Sequence, residues 1–513
     1  MGSIALPNKV VATTLDFASL RKRIVRGQVL TPGDDGYEES LLRWSTTCIK
    51  RAAVVVKSAD AQEASQAVQF ATSHAIPLTV RGGGHSPSGA SASETVTFGG
   101  GCIWEDVDGA LWEKGFATVG GTVSHTGVGG LILGGGFSQL TGRHGLSIDV
   151  LVRCEVVLAN GDIMTASETE NSDLFWALRG AGHSFGVVTS FTSRIFLQGM
   201  AWGGVLVLPI TALPDLVSFI NKFCEKNDGD QAMMPMLTCH PATLEPCVAS
   251  TMFLNGSKEA AEAFYAPLLN LDSIMNTTAV IPYPVANTFP NPKAPPGKRY
   301  LFSGANFVPP LDLAFVQKVS DMFHAALAPE GNREMRAGSM VAFELIPHGK
   351  ISAVDGAATA FAGRDGKAFN MIINMAWHSP EKDGEARRIC SELTHFLKDR
   401  GWRGDEAGDR GGTYLNYLIP ATEEDKVFTR ADRVFGPNIQ RLRELKVKYD
   451  PKNVFKKAVN LLPTENGSHD GEANGKASRH TNGHTNGHAN EHINGHTNGN
   501  TIRNGSGKMD GGL

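Results

Sequence analysis

The sequence has little of what marks secreted, metal-binding or membrane-spanning proteins. Its 7 cysteines are scattered along 513 residues, and no two of them form a C-x-x-C pair. An odd number of scattered cysteines indicates neither a disulfide framework nor a zinc site, and we expect no bound metal. Residues 1–30 contain no apolar core of secretory length, and no stretch approaches a membrane span. We therefore expect a cytosolic protein without a membrane partner.

An excess of charge of one sign is also missing. The chain has 48 Lys and Arg against 52 Asp and Glu, a net charge of -4, and no basic block. Binding to a phosphate backbone needs clustered positive charge, so we expect no nucleic-acid partner. What is present is the composition of a globular protein, 41% hydrophobic and 19% charged, and the length favours more than one domain.

The first part of the chain has the pattern of a mixed α and β structure. An apolar run at 52–56, a helical pattern from Ala61 to His74 and a second run at 77–80 predict a βαβ unit that ends in a glycine loop. Further strands are predicted at 94–98 and 150–166, the second broken by the hairpin signal Asn160-Gly161. Up to about Phe196 the sequence therefore favours an α+β fold.

The middle of the chain predicts a sheet with helices over one face. Strand-like runs at 340–346 and 368–377 alternate with amphipathic helices, one of which begins near Glu381 and stops at Gly401. Within the second run, apolar residues alternate onto one face, which we interpret as core, with Asn370 and Asn374 on the other face. The apolar residues are Phe369, Met371, Ile373, Met375 and Trp377.

The last fifty residues change composition abruptly. Residues 464–513 are dominated by Asn, Gly, His, Ser and Thr, which cannot bury a core, so we predict a disordered tail. Histidines recur there at every fourth position, but Asn-Gly repeats oppose the helix that would align them. We interpret the tail as solvated, with at most adventitious metal affinity. The histidines are His480, His484, His488, His492 and His496.

Four glycine-rich loops occur within about a hundred residues, at 82–84, 127–130, 134–136 and 180–186. Glycine allows a backbone to approach a ligand closely, with several N–H groups directed at one anion, and a pyrophosphate is the natural candidate. The familiar nucleotide motifs do not fit. Phe185 stands where a dinucleotide fingerprint after Gly180 and Gly182 requires glycine, and no Gly-Lys pair precedes Ser or Thr.

Five longer motifs accompany these loops. The sequence reads VRGGGHS at 80–86, GVGGLILGGGF at 127–137, DLFWALRGAGHSFGVVTSF at 173–191, YLNY at 414–417 and YDPKNVF at 449–455. Together they make the sequence resemble the berberine bridge enzyme-like flavoproteins of the vanillyl-alcohol oxidase and para-cresol methylhydroxylase superfamily. The resemblance runs from about Pro32 to Phe455, nearly the whole chain ahead of the tail.

The resemblance implies an α+β fold with a two-part FAD-binding domain of the para-cresol methylhydroxylase (PCMH) type. Residues 1–197 and a berberine-bridge-like segment at 411–463 would form that domain. Residues 198–410 would be an inserted antiparallel-sheet substrate domain, covered by helices and roofing the flavin ring. Residues 464–513 would be the disordered tail.

The same resemblance implies that FAD is the cofactor and that His85 bonds the 8α-methyl group of its flavin. Because the cofactor carries the hydride chemistry, the protein has to bind and orient it. The other cofactor-binding residues implied are Arg81, Gly82, Gly83, Gly84, Ser86, Thr122, Gly129, Gly130, Gly134, Gly135, Gly136, Gly186, Val187, Asn416 and Asn453.

For catalysis, the resemblance places Tyr417 where several relatives have a general base, with Tyr414 beside it. A phenol with a pKa near 10 needs a nearby positive charge or hydrogen-bond donor to act at neutral pH. The alternative is that Tyr414 and Tyr417 pack the flavin edge while Asn416 fixes the orientation of the flavin. Two residues at the end of a predicted strand, Glu344 and His348, could reach the cavity together with Pro347.

The sequence departs from the family pattern in three places. Val123 stands where many relatives have a second flavin-linking cysteine, so a single covalent bond is expected. Thr126 occupies a position at which relatives control access of oxygen, and it leaves oxidase and dehydrogenase both open. After Ser93 a strand-turn-strand passage is missing, which means either a trimmed lineage or a faulty gene model.

These features predict an FAD-dependent oxidoreductase that acts on a small organic molecule. Alcohol oxidation, desaturation or oxidative cyclisation in secondary metabolism is expected, with molecular oxygen as the acceptor. One alternative is a carbohydrate oxidase. An alternative of another class is a catalytically inactive binding protein that keeps the flavin fold.

Overall fold

The computed structural model describes residues 17–41, 51–74, 76, 78, 95–366, 368–400, 414–417 and 431–462. These residues form an α+β fold, as the sequence predicts. The amino-terminal part contains five short elements. They are α1 (Ala18–Arg23), β1 (Gln28–Leu30), α2 (Tyr37–Leu41), β2 (Val55–Lys57) and α3 (Ala61–Ser73).

The next part, residues 95–197, is built around a four-stranded antiparallel sheet. Its strand order is β3-β7-β5-β6, and the predicted hairpin is present, with Gly161 in the left-handed region at φ +87°. The elements are β3 (Thr95–Gly99), α4 (Trp104–Trp112), β4 (Phe116–Ala117), α5 (Val128–Leu133), α6 (Thr141–His144), β5 (Leu151–Val157), β6 (Ile163–Ser167), α7 (Ser172–Ala181), β7 (Val187–Arg194) and β8 (Phe196–Leu197).

The middle part, residues 201–400, forms an eight-stranded antiparallel sheet of order β12-β9-β11-β10-β15-β16-β14, with β13 also paired to β9. The elements are β9 (Ala201–Pro209), α8 (Leu213–Glu225), β10 (Gln231–Cys239), β11 (Pro246–Leu254), α9 (Lys258–Leu269), β12 (Met275–Asn276), β13 (Ala279–Ile281), α10 (Tyr283–Ala286), β14 (Arg299–Phe307), α11 (Leu313–Leu327), α12 (Arg333–Arg336), β15 (Met340–Glu344), α13 (Gly349–Ser352), β16 (Phe369–Trp377) and α14 (Asp383–Arg400).

Two helices follow in the carboxyl-terminal part, α15 (Ala431–Phe435) and α16 (Ile439–Tyr449). Leu442, Leu445 and Tyr449 of α16 pack into the same hydrophobic core as the helices and strands of residues 95–197. The chain therefore returns to its first core after the eight-stranded sheet, which agrees with the two-part arrangement implied by the resemblance. The exact limits at 197, 410 and 463 stay a prediction.

The eight-stranded sheet has two different faces. One packs under α8, α9, α11 and α14 and forms a large apolar core, to which α8 contributes Leu216, Ile220 and Phe223 at helical spacing. The five apolar residues of β16 that the alternation assigned to one face all belong to this core. Asn370 and Asn374 point to the opposite face, where a smaller cluster meets Tyr417. The side of the sheet away from the helices therefore carries Asn370, Asn374 and the cluster that Tyr417 contacts.

Membrane-spanning helices were sought among the described residues. None of the helices there combines enough length with enough apolar character to cross a bilayer.

Candidate active site

The short segment 414–417 joins the two halves of the fold. Tyr414 is buried in the first core, whereas Tyr417 packs against the smaller apolar cluster on the face of the eight-stranded sheet away from the helices. The two rings meet edge to face, with centroids 4.7 Å apart. Both residues of the predicted catalytic pair therefore lie together, where the eight-stranded sheet meets the first core.

The hydroxyl group of Tyr414 is held by two donors. The Gly136 N–H donates to Tyr414 Oη at 3.1 Å, and Asn416 Nδ2 donates to it at 2.8 Å. Asn416 Nδ2 also donates to the Leu131 carbonyl at 3.1 Å. Burial raises the pKa of Tyr414, so its phenol stays neutral at physiological pH. These hydrogen bonds hold the Tyr414 ring in a fixed position, and Asn416 maintains its orientation.

Tyr417 faces a carboxyl group. Its Oη donates to Glu344 Oε1 at 2.8 Å, and the other carboxyl oxygen of Glu344 accepts from Asn370 Nδ2 at 2.8 Å. Glu344 is 4% exposed, at the end of β15 and opposite Asn370 in the register of β15 and β16. Each oxygen of this buried carboxyl accepts one hydrogen bond, which is the arrangement that stabilises the ionised form.

Burial and the neighbouring charge act on both acids of this pair. Burial raises the pKa of Glu344, although the hydrogen bonds from Asn370 and Tyr417 oppose that rise. Burial and the Glu344 charge raise the pKa of Tyr417 well above its usual value. To act as a base, Tyr417 was expected to need a positive charge or a hydrogen-bond donor nearby. The neighbour that the structure brings to it, Glu344, is instead a proton acceptor. Tyr417 is therefore a phenol that can pass its proton on, rather than a phenolate.

The glycines at 134–136 bring the backbone against this segment. A Cβ on Gly134 would lie 2.2 Å from Asn416 Oδ1, and Gly135 and Gly136 have φ of +131° and +84°. Only glycine meets both demands without strain. These three predicted cofactor-binding residues thus fix Asn416 and Tyr414, and Gly136 contributes its N–H directly.

A second group of predicted cofactor-binding residues surrounds the start of α5. Outside its own helix, no atom of the described residues would lie within 4 Å of a Cβ on Gly130, whereas a Cβ on Gly129 would meet the Gly100 carbonyl at 3.0 Å. Thr122 is half-buried nearby in sequence. The open space beside Gly130 is a cradle that a side chain would fill and that a ligand can use.

His183 adds an unmatched acceptor to this place. Its Nε2 lies 3.0 Å from the Gly130 carbonyl, which must receive an N–H. Burial lowers the pKa of His183, so the ring is neutral and carries only that one proton. Nδ1 is then a buried acceptor without a donor among the described residues. FAD would fit here, because its hydroxyl and N–H groups could donate to His183 Nδ1.

Gly186, Val187 and Asn453 have structural contacts. Gly186 approaches the Val157 carbonyl so closely that a Cβ would lie 2.6 Å from it, and Val187 pairs with Val157 between β7 and β5. Asn453 has φ +51° and donates to Asn460 Oδ1 at 2.8 Å, while its own Oδ1 is buried without a donor. Their predicted cofactor contacts stay predictions.

Six predicted cofactor-binding residues lie outside the described residues. They are Arg81, Gly82, Gly83, Gly84, His85 and Ser86. In the loop that carries Val123 and Thr126, the Thr126 N–H donates to the Val123 carbonyl at 3.1 Å, and the Thr126 carbonyl accepts from the Trp104 N–H at 3.0 Å.

Glu344 and His348 were both predicted at the end of a strand. Glu344 ends β15 and lies in the site, and His348 follows β15 and is half-buried. The His348 ring stacks on Phe369 with centroids 4.4 Å apart, and burial lowers its pKa to about 4. Pro347 is buried. The hydrogen bond from Asn370 to Glu344 was not predicted from the sequence. Alternation placed Asn370 on the sheet face away from the helices, but it gave no information about the hydrogen-bond partner of Asn370.

No group of three or more His, Cys, Asp or Glu side chains within the described ranges is arranged to hold a metal ion. Tyr417 lies beside the buried carboxyl group of Glu344 and an apolar cluster of the eight-stranded sheet. An organic cofactor would supply the redox chemistry of an enzyme with such a site.

Known protein families and solved structures resemble this chain in sequence and in fold. Residues 90–167 match a family described as an FAD binding domain, and residues 413–461 match the family described as berberine and berberine like. The FAD-linked oxidoreductase pgmH of Aspergillus terreus is 34% identical over 87% of this chain and 96% of its own length. The FAD-linked oxidoreductase OXR1 of Pyricularia oryzae is 30% identical over 84% and 88%.

Solved structures share the fold. The 6-hydroxy-D-nicotine oxidase of Arthrobacter nicotinovorans superposes with a TM-score of 0.69 at 22% identity, over 86% of this chain and 98% of its own. The xylooligosaccharide oxidase of Myceliophthora thermophila, solved with xylobiose, gives 0.70 at 21% identity over 87% and 98%.

The fold and the site define a flavin-dependent oxidoreductase. The chain belongs to the berberine bridge enzyme-like family of FAD-linked oxidoreductases. It is an FAD-dependent enzyme that oxidises a small organic molecule.

Proposed function

We propose that the enzyme oxidises a carbon atom that bears a hydroxyl group, and that Tyr417 and Glu344 remove the hydroxyl proton together. The observation that supports this most directly is the 2.8 Å hydrogen bond from Tyr417 Oη to Glu344 Oε1. A phenol with a raised pKa is a poor base alone, but it can accept a proton while it gives its own to a carboxylate.

The proposed proton path runs from the substrate hydroxyl through Tyr417 to Glu344. The substrate hydroxyl gives its proton to Tyr417 Oη, and in the same movement the Tyr417 proton passes to Glu344 Oε1. Asn370 holds Glu344 Oε2, so the carboxyl group does not rotate away. A hydride would leave the carbon atom that bears the hydroxyl group, and bound FAD would supply its acceptor. That carbon atom would become the carbon of a carbonyl group. Tyr414 and Asn416 contribute by position, because their hydrogen bonds fix the segment that carries Tyr417.

For the cofactor, we propose attachment of FAD to His85 through a single covalent bond. The VRGGGHS motif at 80–86 and Val123 in the place of a second linking cysteine support this. Arg81, Gly82–Gly84 and Ser86 would line the pyrophosphate, with Thr122, Gly129 and Gly130 near the open cradle. We further propose molecular oxygen as the final electron acceptor, a cytosolic location and a substrate from secondary metabolism.

The proton-transfer proposal is tested by the variants Tyr417→Phe and Glu344→Gln. After anaerobic mixing with substrate, flavin reduction should slow by about 10²- to 10⁴-fold in each, with flavin content unchanged. Tyr265→Phe is the matched control, since it removes a buried hydroxyl that bonds only to the backbone carbonyls of Ala232 and Phe253. Reduction at the wild-type rate in Glu344→Gln would show that the carboxyl group is not the proton acceptor.

The covalent link is tested separately by acid precipitation. We expect a yellow pellet from the wild type and a colourless pellet from His85→Ala. A colourless wild-type pellet with flavin in the supernatant would contradict the link but leave bound FAD intact. No flavin in either fraction would show that this chain does not hold FAD.

A further inference from the structure

The eight-stranded sheet ends in two strands that differ in how they are covered. At one end, no residue of β14 is exposed. At the other end, β12 and β13 pair with β9, and no other described strand pairs with them. Their register on β9 is continuous, because Met275 pairs with Val207 and Ala279 pairs with Gly203. Residues 275–281 therefore form one edge strand, which we call the edge segment.

The edge segment is exposed and uncharged. Met275 is 43% exposed and Val280 is 48% exposed, and Ile274, which precedes the segment, is 50% exposed. No Asp, Glu, Lys or Arg occurs from 273 to 292, in a chain of which 19% is charged. Natural sheet edges commonly carry charged side chains, lysine above all, because an edge without them pairs with another strand. A second strand can therefore approach the edge segment without desolvating a charged group.

The backbone of the edge segment presents hydrogen-bonding groups on its outer side. The Thr277 N–H donates to the Val205 carbonyl at 3.0 Å, toward β9. Alternate residues of a strand direct their N–H and C=O groups to opposite sides, so those of Asn276 and Thr278 point away from β9. In agreement with this, the Thr278 N–H donates to the side-chain oxygen of Asn276 at 2.9 Å. A carbonyl group of a second strand can replace that side-chain oxygen.

Two copies of the edge segment match each other in one antiparallel register. Two identical antiparallel strands are related by a two-fold axis. With that axis at Thr277, Asn276 of each copy lies opposite Thr278 of the other, so the outward N–H and C=O groups of both copies meet. Met275 lies opposite Ala279 in the same register. Polar residues therefore face polar residues, and apolar residues face apolar residues.

The neighbouring registers do not match in this way. With the axis at Asn276, Met275 would lie opposite Thr277. With the axis at Thr278, Val280 would lie opposite Asn276. Each shift sets an exposed apolar side chain against a polar one, so the pattern of the edge segment favours the axis at Thr277.

We propose that two copies of this chain pair through their edge segments about a two-fold axis at Thr277, which joins their eight-stranded sheets into one continuous sheet. Ile274 and Val280 pack together at each end of the contact. The edge segment is about 23 Å long and a sheet is about 10 Å thick. The contact is therefore well below the about 800 Å² per partner of stable complexes, and the dimer should dissociate on dilution.

Sedimentation velocity of the full chain tests the dimer, at concentrations from about 1 μM to about 100 μM. We expect the average mass to rise across this range, from that of one copy toward that of two. A chain that remains monomeric at the highest concentration would overturn the proposal.

Two double variants test the register. Met275→Lys with Ala279→Lys sets like charges opposite each other across the axis, whereas Met275→Lys with Ala279→Glu sets opposite charges there. We expect the first variant to stay monomeric and the second to dimerise. Ile163→Lys is the control and should dimerise as the wild type does, because Ile163 is a 37% exposed residue of β6, the edge strand of the other sheet. Equal dimerisation of the two double variants would overturn the proposal.

A disulfide bond tests the position of the axis. Directly opposed residues whose backbone groups do not bond to each other have Cα atoms about 4.5 Å apart, and a disulfide bond spans that separation. Thr277→Cys should therefore form a covalent dimer when it is oxidised with copper phenanthroline. Ala279→Cys, which faces Met275, and the wild type should not. Cross-linking of Ala279→Cys as readily as Thr277→Cys would place the axis elsewhere and overturn the proposal.

Discussion

Asn370 donates its side-chain amide to Glu344 Oε2 at 2.8 Å, the carboxyl oxygen that Tyr417 does not use. The hydrogen bond favours the ionised form of Glu344, whereas burial favours the protonated form and raises its pKa. The ionised form is the one that can take a proton from Tyr417. In the proposed proton path, Asn370 therefore lowers the pH at which Glu344 can accept that proton.

The Asn370→Leu variant should move the acid limb of the pH profile of kcat/KM to higher pH. Loss of the hydrogen bond raises the pKa of Glu344 further, so a larger fraction is protonated at any given pH below that value. A hydrogen bond to a charged group contributes about 1.5–3 kcal/mol, which corresponds to a shift of about one to two pH units. Activity should recover at high pH.

Asn306→Leu is the control for that profile. Asn306 is the register partner of Asn370 on β14, on the same face of the sheet, but the bond to Glu344 comes from Asn370. We expect its acid limb to stay where the wild type has it. An identical profile in Asn370→Leu and the wild type would show that Glu344 does not control the acid limb.

The buried ion pair of the carboxyl-terminal segment should contribute strongly to stability. Lys446 and Asp450 are both fully buried, 2.6 Å apart, and Lys446 Nζ also donates to the carbonyls of Ser184 and Phe455. Lys446→Met leaves Asp450 as an unpaired buried charge, so we expect the free energy of unfolding to fall by about 3–5 kcal/mol. Urea unfolding followed by tryptophan fluorescence measures this change.

Lys448→Met gives the matched comparison two residues away. Lys448 pairs with Asp173 at 2.6 Å, but its side chain is 57% exposed, and such a pair contributes at most about 1 kcal/mol. An equal fall in the free energy of unfolding in the two variants would mean that the buried ion pair does not hold the carboxyl-terminal segment against the first core.

The sequence predicted local structure and motif positions well, for physical reasons. Period-two alternation put Asn370 on the correct face of β16, and the Asn-Gly signal placed the hairpin between β5 and β6. The bond between Glu344 and Asn370 depends on the register of β15 against β16, 26 residues apart along the chain. The contact from Gly136 to Tyr414 spans 278 residues. Single-sequence patterns hold no information about such pairings.

The environment of Tyr417 could not be predicted from the sequence for the same reason. Its identity and position came from the resemblance, and the pKa of a free phenol called for a cation or donor nearby. The folded chain instead brings a carboxyl group to it from a strand 73 residues earlier. The chemical type of that neighbour could not be read from any local pattern around 414–417.

Gly130 and Gly134 distinguish space that the proposed cofactor would use from space that the protein fills. Gly130→Ala should fold normally, because outside its own helix no atom of the described residues lies within 4 Å of a Cβ there, yet it should lower the flavin content if FAD occupies the cradle. Gly134→Ala should push Asn416 away, since its Cβ would lie 2.2 Å from Asn416 Oδ1, and so lower the rate of flavin reduction. Flavin content per protein and melting temperature are the measurements.

Normal flavin content in Gly130→Ala would place the cofactor elsewhere. A melting temperature that falls as much in Gly130→Ala as in Gly134→Ala would contradict the distinction between open and occupied space. Gly109→Ala, in the middle of α4 with no protein atom near its Cβ, controls for the effect of alanine in a helix.

The last prediction concerns a buried acid between the two halves of the fold. Asp108 on α4 is 2% exposed, and its Oδ2 accepts from Asn287 Nδ2 at 2.8 Å, just after α10. Among the described residues, no hydrogen bond to Asp108 Oδ1 or to Asn287 Oδ1 is formed, and both oxygens are buried. A proton on Asp108 would supply a donor at this place, and burial raises its pKa to about 7.

A carboxyl group that has a higher pKa in the folded state than in the unfolded state favours folding only while it is protonated. Its contribution is complete below about pH 4, the value of the unfolded group, and is lost as the pH rises to about 7. The wild type should therefore lose on the order of a few kcal/mol more than Asp108→Asn across this window. Glu105→Gln, an exposed acid on the same helix, should keep the wild-type slope. Melting temperatures from pH 4 to 8 that run parallel in the wild type and Asp108→Asn would show that Asp108 is ionised throughout, with a partner that offsets its burial.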